Sequence, residues 1–217
     1  MSIKGIIFDF NGTLFFDTNL HNQAWDIFLK KYQLTLSDDE KNHKIHGKTN
    51  VEILTTIFSK KLNAKDIANL SIEKEDIYQS LCLQQKMELA PGAKDFLEYL
   101  LSINIPFTIA TASDLYNVNF YFKHLSLDRY FDLSKVIYNN GKIKSKPDPE
   151  IFLKAMDVLR VKANQTLIFE DSASGIKAAE NSRAAKVIIV KSMDTDYSKW
   201  GHEIISSFSE IDRSTFE

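Results

Sequence analysis

An α/β fold, in which a parallel sheet is interrupted by an inserted group of helices, is the architecture that this sequence predicts. Short apolar runs rich in β-branched residues recur along the chain and alternate with segments of helical period. A long stretch after the first apolar run contains helical periods only. Strands that alternate with helices form right-handed βαβ units, and hence a parallel sheet covered on both faces.

The strands are predicted from short runs dominated by apolar residues, as is typical of strands buried on both faces of a sheet. They cover residues 5–10, 105–110, 166–169 and 186–190. Apolar residues recur at helical spacing in segments 95–101, 149–159 and 173–181. For the second of these helices we expect Asp148 as the N-cap and Pro149 as the first helical residue, because proline is favoured there.

The inserted helical group is predicted after the first strand. Trp25, Phe28 and Leu29 follow the i, i+3, i+4 spacing of one helix face, and Val51 and Leu54 begin a second such face. No convincing strand pattern occurs in this stretch. The simplest organisation is a Rossmann-like α/β core, formed by residues 1–16 and 89–217, with a small all-helical cap domain at residues 17–88.

Composition and charge are those of an ordinary globular chain. Of the 217 residues, 44% are hydrophobic and 26% are charged, which argues against a disordered protein. The formal net charge is −2, so no basic field attracts nucleic acid or an anionic membrane. No signal-peptide pattern or membrane-spanning apolar window is found. We therefore expect a cytoplasmic, monomeric protein whose partners include neither nucleic acid nor a membrane.

Polar side chains stand at the carboxyl end of each predicted strand, which is the edge of a parallel sheet where ligands bind. They are Asp9, Asn11 and Thr13 for the first strand, Thr111 and Ser113, on either side of Ala112, for the second, and Glu170 with Asp171 for the third. Lys146 lies in a comparable loop ahead of a helix. Singly, such residues are usually turn, cap or surface residues. Their occurrence in order at successive strand ends favours one shared site.

The chemistry of this set indicates a metal-assisted reaction at phosphorus. Asp9, Glu170 and Asp171 would bring three negative charges into a partly buried site, which is costly unless a cation neutralises them. Carboxylate oxygens without a nearby cysteine or histidine favour Mg²⁺. Thr111 and Lys146 are suited to hold phosphoryl oxygens, and Asp9 is placed to act as a nucleophile.

The same residues resemble the ordered motifs of the haloacid dehalogenase superfamily. Residues 9–14 (Asp-Phe-Asn-Gly-Thr-Leu) are similar to its first motif, and its second, third and fourth motifs are similar to Thr111, Lys146-Pro147 and residues 170–176. The inserted helices resemble the small cap domain of the β-phosphoglucomutase and phosphoglycolate phosphatase branch. This resemblance implies a small phosphorylated metabolite as the substrate.

The resemblance also implies roles for individual residues. It implies that Asp9 is phosphorylated, and that Thr111 and Lys146 bind the phosphoryl group. The implied ligands of Mg²⁺ are Asp9, the backbone carbonyl of Asn11, Glu170 and Asp171.

Candidate substrate contacts come from both domains. Thr13, Ala112 and Ser113 are the expected contacts from the core. In the cap, Thr18 and His21 stand at the spacing seen in β-phosphoglucomutases, and the loop from Gly47 to Asn50 occupies the place of the specificity loop. Asn50 replaces the arginine that binds a second phosphate in the mutases, and Lys48 offers a point charge instead. Lys74 matches a phosphate-binding lysine of the mutases.

The first motif departs from the family pattern at one position. The family normally has a second aspartate, the general acid/base, where this chain has Asn11. An amide cannot titrate, and general acid/base help is worth about 10²–10⁴ in rate. Four interpretations follow: a phosphatase that is slow or favours good leaving groups; proton transfer by another group such as His21; a phosphometabolite-binding or regulatory protein with little turnover; or an engineered Asn11.

The function that we predict is a phosphatase or phosphotransferase acting on sugar-phosphate-like metabolites through an aspartyl phosphate. A β-phosphoglucomutase is disfavoured, because Asn11 and Asn50 each remove a group that its chemistry needs. A dehalogenase would also use an aspartate nucleophile. It needs no Mg²⁺, however, and would leave Glu170 and Asp171 as an uncompensated charge cluster.

Overall fold

The protein is described by a computed structural model that covers residues 2–45, 48–58 and 61–216. The chain divides into two compact units. One is formed by Met1–Phe16 and Glu88–Glu217, and the other by Asp17–Met87. Glu88 thus groups with the first of these, whereas the sequence pattern placed it with the inserted helices. Along the described ranges, none of the helices has both the length and the apolar character needed to cross a bilayer.

Among its described residues, the second unit (the helical unit) contains helices and no strand. The helices are α1 (Thr18–Lys31), α2 (Asp38–Lys44), α3 (Asn50–Ile57) and α4 (Ala64–Leu83). Ser37, Thr49 and Asn63 begin the last three with capping boxes, which satisfy backbone N–H groups of the first turn. Trp25 and Phe28, at the predicted helical spacing, are fully buried in this unit's core.

The first unit (the sheet unit) contains a six-stranded parallel sheet. Its strands are β1 (Gly5–Phe8), β2 (Phe107–Asp114), β3 (Ile137–Asn139), β4 (Thr166–Glu170), β5 (Lys186–Val190) and β6 (Glu203–Ile205). They lie in the order β3-β2-β1-β4-β5-β6, and every pairing is parallel. This is the order of a Rossmann-like sheet, and its direction of growth reverses between β1 and β4.

The central strands form as predicted because their side chains are buried on both faces. All residues of β1 and β4 are buried, and the rings of Phe8 and Phe169 stack at 5.0 Å between centroids. Two edge strands, β3 and β6, were not predicted. Each has three residues, most of which are partly or fully exposed. Because these positions need not be apolar, neither strand shows a continuous apolar run in the sequence. The prediction also ended β2 too early: it continues through polar residues to Asp114, with an irregular register against β3.

Helices cover the sheet and begin where the site residues lie. They are α5 (Ala93–Ser102), α6 (Leu115–Leu125), α7 (Glu150–Leu159) and α8 (Ala173–Asn181). Phe152 of α7 and Ala178 of α8 pack against β1 and β4 in the core. The expected start of α7 was one residue early. Pro149 occupies the cap position, and the Asp148 carboxylate still accepts a hydrogen bond from the Glu150 N–H at 3.0 Å.

Candidate active site

The carboxyl ends of β1, β2 and β4 bring the sequence-predicted core residues to one edge of the sheet. Asp9 directly follows β1, and its N–H donates to the Phe169 carbonyl of β4 at 2.9 Å. Glu170 ends β4, with Asp171 next. Ligand oxygens of Asp9, Glu170 and Asp171 all lie within 4.8 Å of one another. Thr111, on the adjacent strand β2, is buried.

Lys146 lies between two of these carboxylates. Its Nζ is 2.6 Å from Oδ1 of Asp9 and 2.5 Å from Oε1 of Glu170, and the side chain is 2% exposed. Burial alone would lower the pKa of Lys146, but the negative charges of Asp9 and Glu170 raise it above its usual value. The lysine is therefore a permanent positive charge at the site.

The Glu170 carboxylate is anchored over the first turn of α8. Its Oε2 accepts hydrogen bonds from the N–H groups of Asp171 and Ser172, both at 2.8 Å, and from the Ser172 hydroxyl at 3.1 Å. A Cβ atom at Gly175 would lie 1.7 Å from Oε1 of Glu170. Only glycine leaves room for the carboxylate in this position, so Gly175 determines where Glu170 lies.

Asp171 is held by the loop after β1 and by a distant tyrosine. Thr13 donates its hydroxyl to Oδ1 at 3.1 Å, and Tyr197 donates its hydroxyl to the backbone carbonyl at 2.7 Å. Gly12 has φ +78°, and a Cβ there would lie 2.2 Å from Oδ2. Burial, followed by the charges of Glu170 and Asp9, raises the pKa of Asp171 well above its usual range.

The side chain of Asn11 is held at both ends of its amide. Oδ1 accepts the Ser113 hydroxyl at 2.7 Å and, more weakly, the Thr111 hydroxyl at 3.4 Å. Nδ2 donates to the Tyr121 hydroxyl of α6 at 2.8 Å. The backbone N–H of Ser113 donates to Oγ1 of Thr111 at 3.1 Å. The polar residues at the ends of β1 and β2 therefore form one hydrogen-bonded network.

Comparison with known proteins agrees with this arrangement. Residues 3–183 match a family model described as haloacid dehalogenase-like hydrolase. The chain belongs to this family. A solved haloacid dehalogenase hydrolase from Entamoeba histolytica, described as family IA, variant 3, is 35% identical, with a TM-score of 0.88. The match covers 100% of this chain and 97% of that one.

Curated relatives of this haloacid dehalogenase-like hydrolase include phosphatases. A phosphorylated carbohydrates phosphatase from Thermotoga maritima is 26% identical over 85% of this chain and 84% of its own length. A (DL)-glycerol-3-phosphatase from Arabidopsis thaliana is also 26% identical, over 97% of this chain and 89% of its own length.

The acidic cluster of this hydrolase fits a hard divalent cation. Asp9, Glu170 and Asp171 offer oxygen ligands only, as Mg²⁺ prefers. Lys146 supplies one positive charge against three carboxylates. Burial, together with the charges of Glu170 and Asp9, raises the pKa of Asp171, as expected for a carboxylate in a cluster with excess negative charge. A divalent ion beside Asp171 would remove this excess.

The predicted substrate residues of the helical unit form a second polar network. Lys74, 2% exposed, is 3.0 Å from Oε1 of Glu75 and 2.9 Å from Nδ1 of His21. Nε2 of His21 is 3.4 Å from Oδ2 of Asp17. Asn50 donates to the same Glu75 oxygen at 2.7 Å. Both ring nitrogens of His21 are thus engaged within this unit, which does not favour the histidine as a substitute proton donor.

The remaining predicted substrate contacts are partly exposed. Thr18 begins α1 and is partly exposed, as are Lys48, Ala112 and Ser113. Gly47, in the expected specificity loop, lies outside the described residues. The substrate-binding roles of all the residues named from the sequence stay predictions: Thr13, Thr18, His21, Lys48, Asn50, Lys74, Ala112 and Ser113.

The sequence analysis assigned no individual role to three residues that shape the site, namely Tyr121, Tyr197 and Gly175. Tyr121 and Tyr197 lie 110 positions from Asn11 and 26 from Asp171 along the chain, and a tyrosine on an apolar helix face or in a loop carries no local signal. Gly175 did carry one. A glycine in the first turn of a helix, four residues after the acidic pair Glu170-Asp171, is unfavourable for the helix and indicates a close approach.

Proposed function

We propose that this chain is a Mg²⁺-dependent phosphatase that acts on small phosphorylated metabolites, of the sugar-phosphate or polyol-phosphate type, through a phosphorylated Asp9. The observation that carries the proposal is the pairing of the Asp9 carboxylate with the buried Lys146 Nζ at 2.6 Å, beside Glu170 and Asp171. The substrates named for the curated relatives, phosphorylated carbohydrates and glycerol 3-phosphate, support the substrate class.

In the first step, an oxygen of the Asp9 carboxylate bonds to phosphorus while the bond from phosphorus to the substrate oxygen breaks. Lys146 and the Thr111 hydroxyl hold the phosphoryl oxygens and the charge that develops on them. Bound Mg²⁺, held by Asp9, Asp171, Glu170 and the Asn11 carbonyl, would supply the additional positive charge that phosphoryl transfer needs.

The proton for the leaving oxygen comes from solvent, because the Asn11 amide does not ionise and cannot act as a general acid. In the second step, a water oxygen bonds to phosphorus and loses a proton to solvent, the bond to Asp9 breaks, and inorganic phosphate and the free carboxylate are produced. Without a positioned acid, substrates whose leaving oxygen is stable as an anion react fastest. Aryl and acyl phosphates are therefore expected to be better substrates than alkyl phosphates.

The test is phosphate release from p-nitrophenyl phosphate, glycerol 3-phosphate and sugar monophosphates, with Mg²⁺ and with a chelator. We expect multiple turnovers that need Mg²⁺ and are abolished by Asp9→Asn. The matched control is Asp194→Asn, since Asp194 is fully exposed and pairs only locally with Lys191. Turnover that survives Asp9→Asn, or is unchanged by the chelator, contradicts the proposal.

A phosphometabolite-binding protein with little turnover is the second candidate, and the amide of Asn11 is the observation that favours it. Such a protein would gain thermal stability from a phosphorylated metabolite with Mg²⁺, yet release no more than one equivalent of phosphate. Phosphate release beyond one equivalent per chain excludes this candidate. Asn50 also donates to Glu75, an arrangement that supports a monophosphate hydrolase rather than a mutase that must hold a second phosphate.

A further inference from the structure

The hydroxyl of Tyr121 is a fixed, buried partner for Asn11. Tyr121 is 1% exposed, and its ring stacks on Phe10 at 4.5 Å between centroids. A buried phenol hydroxyl needs a hydrogen-bond partner, and its oxygen accepts from Nδ2 of Asn11 at 2.8 Å. Because α6 and Phe10 set the position of the ring, they also set the position to which the Asn11 amide is held.

The neighbouring hydroxyls determine which way the amide faces. Oγ1 of Thr111 already accepts the Ser113 N–H, so the Thr111 proton is available to point towards Oδ1 of Asn11. The Ser113 hydroxyl donates to the same oxygen at 2.7 Å. The carbonyl end of the amide therefore faces the two hydroxyls on β2, and the NH₂ end faces Tyr121.

We propose that Tyr121 is a positioning residue that acts through Asn11. By accepting from Nδ2, it holds Oδ1 on the Ser113 hydroxyl at 2.7 Å and at the longer distance of 3.4 Å from the Thr111 hydroxyl. The single proton of Thr111 can then turn from this weaker contact to a phosphoryl oxygen when substrate binds. This inference rests on the proposed function, in which Thr111 holds a phosphoryl oxygen. Tyr121 itself does not touch the substrate.

The test is a double-mutant cycle of Tyr121→Phe and Asn11→Ala. Tyr121→Phe removes only the hydroxyl and retains the ring stacked on Phe10. With p-nitrophenyl phosphate, Tyr121→Phe should lower kcat about three- to tenfold, the effect of losing one positioning hydrogen bond. KM should change less than about twofold, because Lys146, the charged group that holds the phosphoryl oxygens, is untouched by the variant. In the Asn11→Ala background, Tyr121→Phe should have almost no further effect.

A purely structural role would give a different result. Equal losses in both backgrounds, or no loss in the wild-type background, would overturn the proposal. The matched control is Tyr130→Phe, since the Tyr130 hydroxyl reaches only Glu98 in an exposed pair at 3.5 Å; it should leave kcat unchanged. Thermal midpoints of all variants show whether folding contributes.

A crystal structure of Tyr121→Phe separates this inference from the proposed function. We expect Oδ1 of Asn11 to leave its 2.7 Å contact with the Ser113 hydroxyl. If the amide stays in place, Tyr121 does not position it and the inference is wrong, whatever the activity. If the amide moves but the wild-type chain turns over no phosphate ester, the proposed function fails and the positioning role stands.

Discussion

Replacement of Gly175 by alanine is expected to disrupt the acidic cluster. The new Cβ would lie 1.7 Å from Oε1, 2.0 Å from Cδ and 2.3 Å from Oε2 of Glu170. Contacts shorter than 3.0 Å are essentially never found for a Cβ atom, so the carboxylate must move by more than an ångström. Glu170 is fully buried, and the movement breaks its bonds to Asp171, Ser172 and Lys146.

The expected loss follows from these contacts. Disrupting a buried, hydrogen-bonded ion pair costs about 3–5 kcal/mol. Alanine is the better helix former, and this recovers about 1 kcal/mol. The free energy of unfolding should therefore fall by about 2–4 kcal/mol, or about 5–15 °C in the thermal midpoint for a chain of this size. Phosphatase activity should fall with it, because Lys146 and Asp171 lose the partner that places them.

Thermal unfolding by circular dichroism and Mg²⁺ titration by calorimetry measure the two effects. Ser174→Ala is the matched control in the same helical turn. Among the described residues, the buried Ser174 hydroxyl has no hydrogen-bond partner, so its removal should be neutral or slightly stabilising. A Gly175→Ala variant with the wild-type midpoint and Mg²⁺ affinity would refute the placement of Glu170 over α8.

Three further outcomes follow from the site and the helical unit. Asn11→Asp should raise kcat on glycerol 3-phosphate by up to about 10²-fold, and much less on p-nitrophenyl phosphate, because the nitrophenolate leaves without an acid. Equal gains on both esters would contradict the conclusion that the wild-type chain lacks a general acid. Because the pKa of Asp171 is raised, the folded chain holds its proton more tightly than the unfolded chain, so metal-free stability should fall as pH rises from the usual aspartate value of 3.8. In the presence of a chelator, Asp171→Asn should remove this pH dependence of stability, which thermal unfolding at a series of pH values measures. If the variant shows the same pH dependence as the wild type, another group is responsible for it. Lys74→Met should remove the cationic partner of the buried Glu75 carboxylate and lower stability by about 3–5 kcal/mol. Lys61→Met, at an exposed position, should leave stability unchanged; equal denaturation midpoints for the two variants would show that the ion pair is not needed.

Much of the fold could be predicted because its strongest signals are local. The strands β1, β4 and β5 are continuous apolar runs, and Trp25 and Phe28 mark a helix face by spacing alone. The edge strands β3 and β6 could not be predicted in this way. Their pairing comes from the exposed backbone of a neighbouring strand rather than from an apolar pattern of their own.

The sequence by itself determined that Asp9, Glu170 and Asp171 stand at the carboxyl ends of two predicted strands, and parallel topology carries such residues to one edge. Only the tertiary structure decided their partners: Lys146 bridges Asp9 and Glu170, and Tyr121 holds Asn11. The physical reason is range. Residue periodicity reports what a segment buries, whereas a hydrogen bond between residues far apart in the chain depends on how separately formed elements pack within a few tenths of an ångström.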